Sequence, residues 1–216
     1  MATENYILMN QGFSIGYNHP LAEVGAPVAL GDGTHYLLAR NGRGKTTLLR
    51  TLAGVLKSLS GQFKIDGCLQ FVPEDIEFND HLNSKVLFKA LLPKDRFDAC
   101  VGFADSIELD LNMSYRSLST GNKRKVSWLL AEFSVVEGQN NIVLLDEPFT
   151  GLDSYTREKI MEYWGENSDG ICRLVSCHPD FDSMCIGSAV LISEGQLSHS
   201  ASQELASWGE LKKQLV

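Results

Sequence analysis

Hydrophobic positions change period along the chain, and those changes outline its elements. Residues 6–38 carry short apolar runs punctuated by Gly and Pro: Tyr6-Ile7-Leu8-Met9, Pro27-Val28-Ala29-Leu30 and Thr34-His35-Tyr36-Leu37-Leu38, the last two separated by the turn signal Gly31-Asp32-Gly33. They predict a small antiparallel sheet feeding a buried strand. Over residues 45–57, Leu48, Leu49, Leu52, Val55 and Leu56 recur at helical spacing, so the glycine-rich loop before them opens a helix. Between 75 and 118, Val86, Leu87, Ala90 and Leu91, then Phe97, Val101, Phe103 and Ala104, predict short helices with polar connections, a helical insert. Residues 126–136, broken by Glu132, have the length of a buried helix. Apolar runs at 142–145, 172–176 and 189–192 then predict strands of a mainly parallel sheet covered by helices, and 202–215 predict a closing helix.

Composition narrows the class. At 216 residues and 44% hydrophobic, the chain reads as globular, without repeats, low-complexity tracts or linkers that would divide it. A net charge of -8 and a pI near 5.1 exclude a nucleic-acid binder, which needs a basic face to neutralise phosphates. Cys68, Cys100, Cys172, Cys177 and Cys185 form no CxxC pair, which fits neither a disulfide framework nor a zinc site and predicts a reducing, cytosolic setting. No basic-then-apolar leader and no run of 18 apolar residues occurs, so neither export nor a membrane span is expected. His19, His35, His81 and His199 lack partners at metal spacing and read as surface or structural residues. Lys123-Arg124-Lys125 reads as a solvated helix face, and Trp128, Phe133, Trp164 and Trp208 as packing residues.

Two motifs carry chemistry. The loop Ala39-Arg40-Asn41-Gly42-Arg43-Gly44-Lys45-Thr46-Thr47 lies between a buried strand and a helix, where backbone N–H groups and the positive helix end can wrap polyphosphate oxygens. Lys45 would reach the β and γ phosphates, Thr46 would give its hydroxyl to Mg²⁺, and Thr47 would lie against the α phosphate. Ala39 stands where the strict G-x-x-x-x-G-K-[ST] pattern has glycine. In Asn141-Ile142-Val143-Leu144-Leu145-Asp146-Glu147, a buried strand delivers two acids at its C-terminal end, where open α/β sheets bind ligands. Asp146 would hold Mg²⁺ through water, and Glu147, facing the other way, would polarise the attacking water.

With these residues in view, the chain resembles the ABC (ATP-binding cassette) ATPases over essentially its full length. Asn41 to Thr47 looks like their Walker A loop. Leu145-Asp146-Glu147-Pro148-Phe149-Thr150-Gly151-Leu152-Asp153 looks like Walker B running into the D-loop, and Leu118-Ser119-Thr120-Gly121-Asn122 is similar to the LSGGQ signature. His178, after Val175-Ser176-Cys177, looks like the switch histidine, and Tyr17 occupies the place of the adenine-stacking aromatic. Besides Ala39, three positions depart from the family: Glu74 replaces the Q-loop glutamine, Thr120 a glycine and Asn122 a glutamine. A carboxylate at Glu74 could still ligate Mg²⁺ or water, while adding negative charge beside the triphosphate.

The resemblance implies an α/β P-loop NTPase of ABC type, a mainly parallel sheet core with an N-terminal antiparallel β subdomain and a helical insert. Residues 1–216 would form one ATP-binding domain, with 1–74 and 126–216 as core and 75–125 as the helical subdomain carrying the signature. It implies ATP and Mg²⁺ as ligands, and nucleotide clamped between one chain's binding residues (Tyr17, the phosphate loop Asn41, Gly42, Arg43, Gly44, Lys45, Thr46 and Thr47, and Glu74) and the mate's Ser119 and Gly121. Thr46, Asp146 and Glu74 would face the metal; Lys45, Glu147 and His178 would act on the β–γ bond; Asp153 would link the two sites. The partners implied are a second ATPase subunit, identical or a close paralogue, and a separate transmembrane permease, which places the chain at the cytoplasmic face of a membrane. The motifs are closest to short ATPases of exporter-type systems, including the group that serves haem export in cytochrome c maturation. Two other classes fit the same residues: a soluble ABC ATPase that acts on a protein assembly, and a nucleotide-binding scaffold with weak hydrolysis.

Overall fold

The computed structural model describes residues 5–168, 170–177, 185–213 and 215, with 185, 202–208 and 212 described by their backbone alone. Strands β1 (Ile7–Met9), β2 (Ser14–Gly16), β3 (Pro20–Val24), β4 (Val28–Leu30) and β5 (Gly33–Ala39) lead into helix α1 (Lys45–Leu52). Next come β6 (Phe63–Ile65), β7 (Cys68–Val72), α2 (Ser84–Leu91), α3 (Phe97–Ser106), a single 3-10 turn at Tyr115–Ser117 and α4 (Thr120–Phe133). The chain closes with β8 (Asn141–Leu145), α5 (Ser154–Glu166), β9 (Ile171–Ser176), β10 (Cys185–Ser193), β11 (Gln196–Ser207) and α6 (Trp208–Lys212).

Two sheets result. The small one is antiparallel, in the order β4-β1-β6, and buries Ile7, Met9, Val28 and Leu30 on alternate positions, as a sheet with one face on the core must. The large sheet has the order β2-β3-β11-β10-β5-β9-β8-β7 and is parallel from β10 through β7. Every residue of β8 and β9 is buried, which explains why these strands read as continuous apolar runs rather than as alternations. Side chains still divide by face. Leu37, Ile142, Leu144, Cys172 and Leu174 join the cluster under the small sheet, whereas Tyr36, Leu38, Val143, Leu145 and Val175 join the cluster beneath α4 and α5.

Two expectations are corrected. Residues 202–207 are not helical: β11 runs to Ser207, paired with β10 through Ile186↔Ala206 and Cys185↔Ser207, and the terminal helix is only Trp208–Lys212. Strand pairing with a neighbour overrides the helical propensity of a short polar stretch. Nor is Lys123-Arg124-Lys125 a solvated face. Lys123 pairs with Glu77 at 3.0 Å and lies over the Tyr115 ring; Arg124 bonds the Glu74 carbonyl and approaches its carboxylate at 3.6 Å; Lys125 is buried, donating to the Ile107 carbonyl at 2.7 Å. The connection from β7 to α2 supplies the acids that draw the first two cations inward.

Two polar assemblies, one buried and one half-buried, lock elements far apart in sequence. Arg173 of β9 and Glu132 of α4 are 0% and 1% exposed and are joined in a bidentate pair; Trp164 Nε1 of α5 donates to Glu132 at 3.1 Å, and Arg173 Nη2 donates to the Asn167 carbonyl at 2.7 Å. On the opposite face, His35 Nε2 donates to the Gly31 carbonyl at 3.0 Å, which makes Nδ1 the acceptor of the Ser188 hydroxyl at 2.6 Å; Ser188 in turn accepts from His199 Nε2 at 2.8 Å. Burial lowers the pKa of His35 and of His199, so both favour the neutral form that this chain of donors needs.

Removal of one partner of a buried pair leaves an uncompensated charge, so Glu132→Ala should cost about 3–5 kcal/mol in urea unfolding, with part recovered in Glu132→Met/Arg173→Met. The histidines give a sign for pH. His35 binds a proton less readily folded than unfolded, so the unfolded chain takes up more protons below the ordinary histidine value of 6.5. Stability should therefore fall as pH drops through that value, and His35→Asn should flatten the dependence measured by thermal unfolding.

Candidate functional site

The C-terminal ends of β5, β8 and β9 lie side by side because the parallel register pairs Leu37 with Ser176 and Leu145 with Val175. The loops after β5 and β8 therefore meet at one edge of the sheet, the edge where open α/β sheets accept ligands. A cleft of about 570 Å³ opens there. It is lined by Tyr17, Leu21, Arg40, Asn41, Gly42, Gly44, Lys45, Thr46, Thr47, Glu74, Glu147 and Thr150.

Residues 40–44 leave β5 and turn directly into α1. Gly44, the residue before the helix, has φ 106, a left-handed conformation that glycine adopts without strain. The first-turn residues Lys45, Thr46 and Thr47 line the cleft, and the N–H groups at a helix start, which have no intrahelical partner, suit anionic oxygens. Ala39 replaces a glycine of the motif at no conformational cost, since it is the last residue of β5 and is absent from the positive-φ residues. Its carbonyl accepts from Lys45 Nζ at 3.4 Å. Lys45 is 8% exposed, and its counterion is Glu147, with Nζ 3.2 Å from Oε1.

Asp146 and Glu147 follow β8 directly. Asp146 is 2% exposed; its N–H donates to the Val72 carbonyl at 3.0 Å and its Oδ1 accepts from the Ser176 hydroxyl at 2.7 Å. Its Oδ2 is buried and has no hydrogen-bond partner among the described residues. Glu147 has φ 49, an uncommon conformation for a residue with a side chain, and its N–H donates to Ser176 Oγ at 2.8 Å. Ser176 was not singled out by sequence reasoning. Only its register beside Asp146 marks it, and register is invisible in one strand read alone.

The other predicted site residues divide into groups. Tyr17 stands at the cleft with 59% of its surface exposed, a ring free to stack. Glu74 lines the cleft and also faces Arg124 on α4. Arg43 is exposed and does not line the cleft; Arg40, which the sequence reading passed over, does. Ser119, Gly121 and Asp153 are not lining residues either. Ser119 caps α4, accepting from the Asn122 N–H at 3.2 Å, and Asp153 caps α5, accepting from the Thr156 N–H at 2.7 Å and lying 3.9 Å from Lys125 Nζ. The Thr156 N–H bond is the main cause that lowers the Asp153 pKa. His178 lies outside the described residues.

Gly121 and Gly151 bring the signature-like loop against the loop after β8. A Cβ on Gly121 would stand 2.4 Å from the Gly151 carbonyl oxygen, so the close approach of two backbones, rather than any unusual φ, requires glycine at 121. The donor chemistry near Asp146 is all oxygen, which suits a hard divalent cation such as magnesium. Among the described residues no group of three or more His, Cys, Asp and Glu could hold a metal alone. Asp146 lies behind the lining residues of the cleft, so a magnesium ion completed by phosphate oxygens and water fits that donor set, with the bare Oδ2 of Asp146 as the acceptor for a metal-bound water.

A parallel sheet, a glycine loop opening a helix and a strand that ends in two acids define a P-loop nucleotide-binding domain. The ABC transporter family model matches residues 30–150, more than half of the chain, and the chain belongs to that family. It is 28% identical over 163 residues to the ABC transporter ATP-binding protein YtrB of Bacillus subtilis, covering 69% of this chain and 54% of that protein. Over 129 residues it is 35% identical to an uncharacterized ABC transporter ATP-binding protein of Methanocaldococcus jannaschii, covering 54% of this chain and 46% of that one. The chain thus spans about half the length of these curated relatives. Among solved structures, an ATP-binding subunit of an ABC transporter superposes with a TM-score of 0.76 at 19% identity, covering 96% of this chain and 98% of the other. No helix of the described residues is long and apolar enough to cross a membrane.

Because the obstruction at 121 is backbone, Gly121→Ala should lose about 1–3 kcal/mol of stability in chemical denaturation. Gly165→Ala on α5 is the matched control: its Cβ meets nothing within 4 Å, and the substitution should be neutral or slightly stabilising.

Proposed function

We propose that this chain binds and hydrolyses ATP as the nucleotide-binding subunit of an ABC transporter, one of two such subunits that close around two Mg-ATP and drive a separate membrane permease. The observation that carries the reading is the buried Lys45–Glu147 pair, at the mouth of the glycine loop and one residue from the unpartnered Asp146 oxygen. A lysine and two acids held at one sheet edge are what phosphoryl transfer by positioning and electrostatics needs.

In this mechanism the α1 N-terminus and the N–H groups of Asn41, Gly42 and Gly44 bind phosphate oxygens, whereas the Arg43 N–H closes the loop on the Arg40 carbonyl at 3.2 Å; Thr47 lies by the α phosphate, and Tyr17 stacks on the base. Lys45 exchanges its Glu147 counterion for the β and γ phosphates, which frees the Glu147 carboxylate to accept a proton from the attacking water. Magnesium, when bound, supplies positive charge to the β and γ oxygens; Asp146, Thr46 and Glu74 are the side chains that would face it. His178 is assigned to the γ-phosphate by its motif. Ser119 and Gly121 do not line their own chain's cleft, which supports a role on the triphosphate held by a mate, with Asp153 linking the two sites.

An apolar groove supports the permease part of the reading. An open groove of about 460 Å³ lies between β7 and the helices, lined by Phe71, Ile76, Phe78, Leu91 and Leu130 among others, with Leu91 55% exposed. Export, rather than import, is assigned on the sequence motifs alone. The domain division follows the same reading, with 75–125 as the helical subdomain and the rest as core.

Glu147→Gln tests the chemistry. It should lower turnover by about 10²–10⁴-fold in a phosphate-release assay while nucleotide affinity, followed by a fluorescent ATP analogue, stays close to the parent's. Hydrolysis by Glu147→Gln at the parent rate would remove Glu147 from the role of base.

A further inference from the structure

We infer that Ser176 is the positioning residue that aims both acids of this site, fixing Asp146 by one oxygen so that the other is the one left for the metal and its water, and holding the Glu147 backbone in its left-handed conformation. The inference rests on the proposed Mg-ATP reading of the cleft and deepens it.

The geometry is specific. Ser176 is the last residue of β9, 0% exposed, on the face that also carries Cys172 and Leu174. Its single hydroxyl serves two neighbours in the next strand's extension. The proton goes to Asp146 Oδ1 at 2.7 Å, because a carboxylate can only accept. A lone pair takes the Glu147 N–H at 2.8 Å. Both contacts are buried or half-buried, so neither can be replaced by bulk water without cost.

Each bond has a separate consequence. A carboxylate at a strand end can rotate about χ2; with Oδ1 fixed by Ser176 and the Asp146 backbone fixed by Val72, the rotation is stopped and Oδ2 is the oxygen left unpartnered. A carboxylate that holds a metal with one oxygen, directly or, as expected for Asp146, through water, commonly has the other oxygen held by a neighbouring donor, and loss of such a donor costs about 10–100-fold in metal affinity. Glu147 has the complementary problem. At φ 49 its backbone is in a sparsely populated region, and such a conformation persists only when surrounding contacts over-determine it. The Ser176 acceptor is one of those contacts, and it sets the direction in which the Glu147 side chain leaves the strand toward Lys45.

Ser176→Ala removes both bonds. Ser176→Cys keeps nearly the same volume with a weak donor, and Ser176→Thr keeps the hydroxyl. All three are made in the full chain, and thermal unfolding without nucleotide or metal establishes that each is folded. The direct readout is Mn²⁺ titration by electron paramagnetic resonance in the presence of a non-hydrolysable ATP analogue. Ser176→Ala and Ser176→Cys should bind Mn²⁺ about tenfold more weakly or worse, with Ser176→Thr staying close to the parent. Affinity for the analogue without metal should change by no more than about twofold, and the kcat lost at limiting Mg²⁺ should partly return when Mg²⁺ is raised. Parent-like Mn²⁺ affinity in folded Ser176→Ala or Ser176→Cys overturns the inference. If the parent itself takes up no Mn²⁺ with the analogue, the Mg-ATP reading fails instead, and the two results cannot be confused.

Discussion

An ammonium ion tucked under a glycine loop needs an anion beside it, and much of this site follows from where that anion comes from. Lys45 is almost fully enclosed, with Glu147 at 3.2 Å and the Ala39 carbonyl at 3.4 Å as its neighbours. Desolvating a cation alone costs several kcal/mol, so the position is tenable only while a negative group shares it. The same requirement makes the lysine an exchange point. A triphosphate arriving at the loop brings a competing anion, and whatever charge it places near Lys45 loosens the hold on Glu147. On the proposed ATP reading, binding and the release of Glu147 are coupled through this one cation.

The sheet provides the rigidity that this exchange requires. Parallel pairing of β5, β9 and β8 brings three strand ends to one level, and each contributes a different chemical part: the loop with Lys45, the acids Asp146 and Glu147, and the Ser176 hydroxyl. None of these groups is carried on a long mobile segment. Asp146 is held by backbone on the β7 side and by side chain on the β9 side, so its position is determined by two strands at once. Sites built on regular elements in this way keep their geometry better than sites on loops.

Helix α4 joins this rigid edge to the rest of the molecule. Its N-terminal end carries Ser119 and Gly121 against Gly151, and its first turns are tied by Arg124 to Glu74, by Lys123 to Glu77 and by Lys125 to Ile107 and Asp153. Toward its C-terminal end, Glu132 is buried on Arg173. The Glu74 departure from the family pattern acquires a physical counterpart here. A carboxylate in place of an amide adds a negative charge beside the cleft, and a guanidinium from α4 faces it. The pair is half exposed and contributes little stability by itself. Its importance is geometric, because it links the cleft's edge to the helix that carries the signature.

Local pattern was enough for the loop at 39–47, the buried strand before Asp146 and the parallel core, because each of these is encoded by neighbours in sequence: a glycine run, a helical period, an apolar strand ending in acids. What escaped was everything decided across strands. The helical reading of 202–207 failed because pairing with β10 outweighs the propensity of six residues. The basic run 123–125 looked solvated because Glu74, Glu77 and Asp153, which draw it in, lie tens of residues away. Ser176 is the sharpest instance. As one hydroxyl in Leu174-Val175-Ser176-Cys177 it is chemically bland, and it gains significance only when register sets it level with Asp146. A residue whose partners are chosen by sheet pairing carries no local signature, whereas a lysine after a glycine run and two acids at the end of an apolar strand carry theirs in adjacent positions.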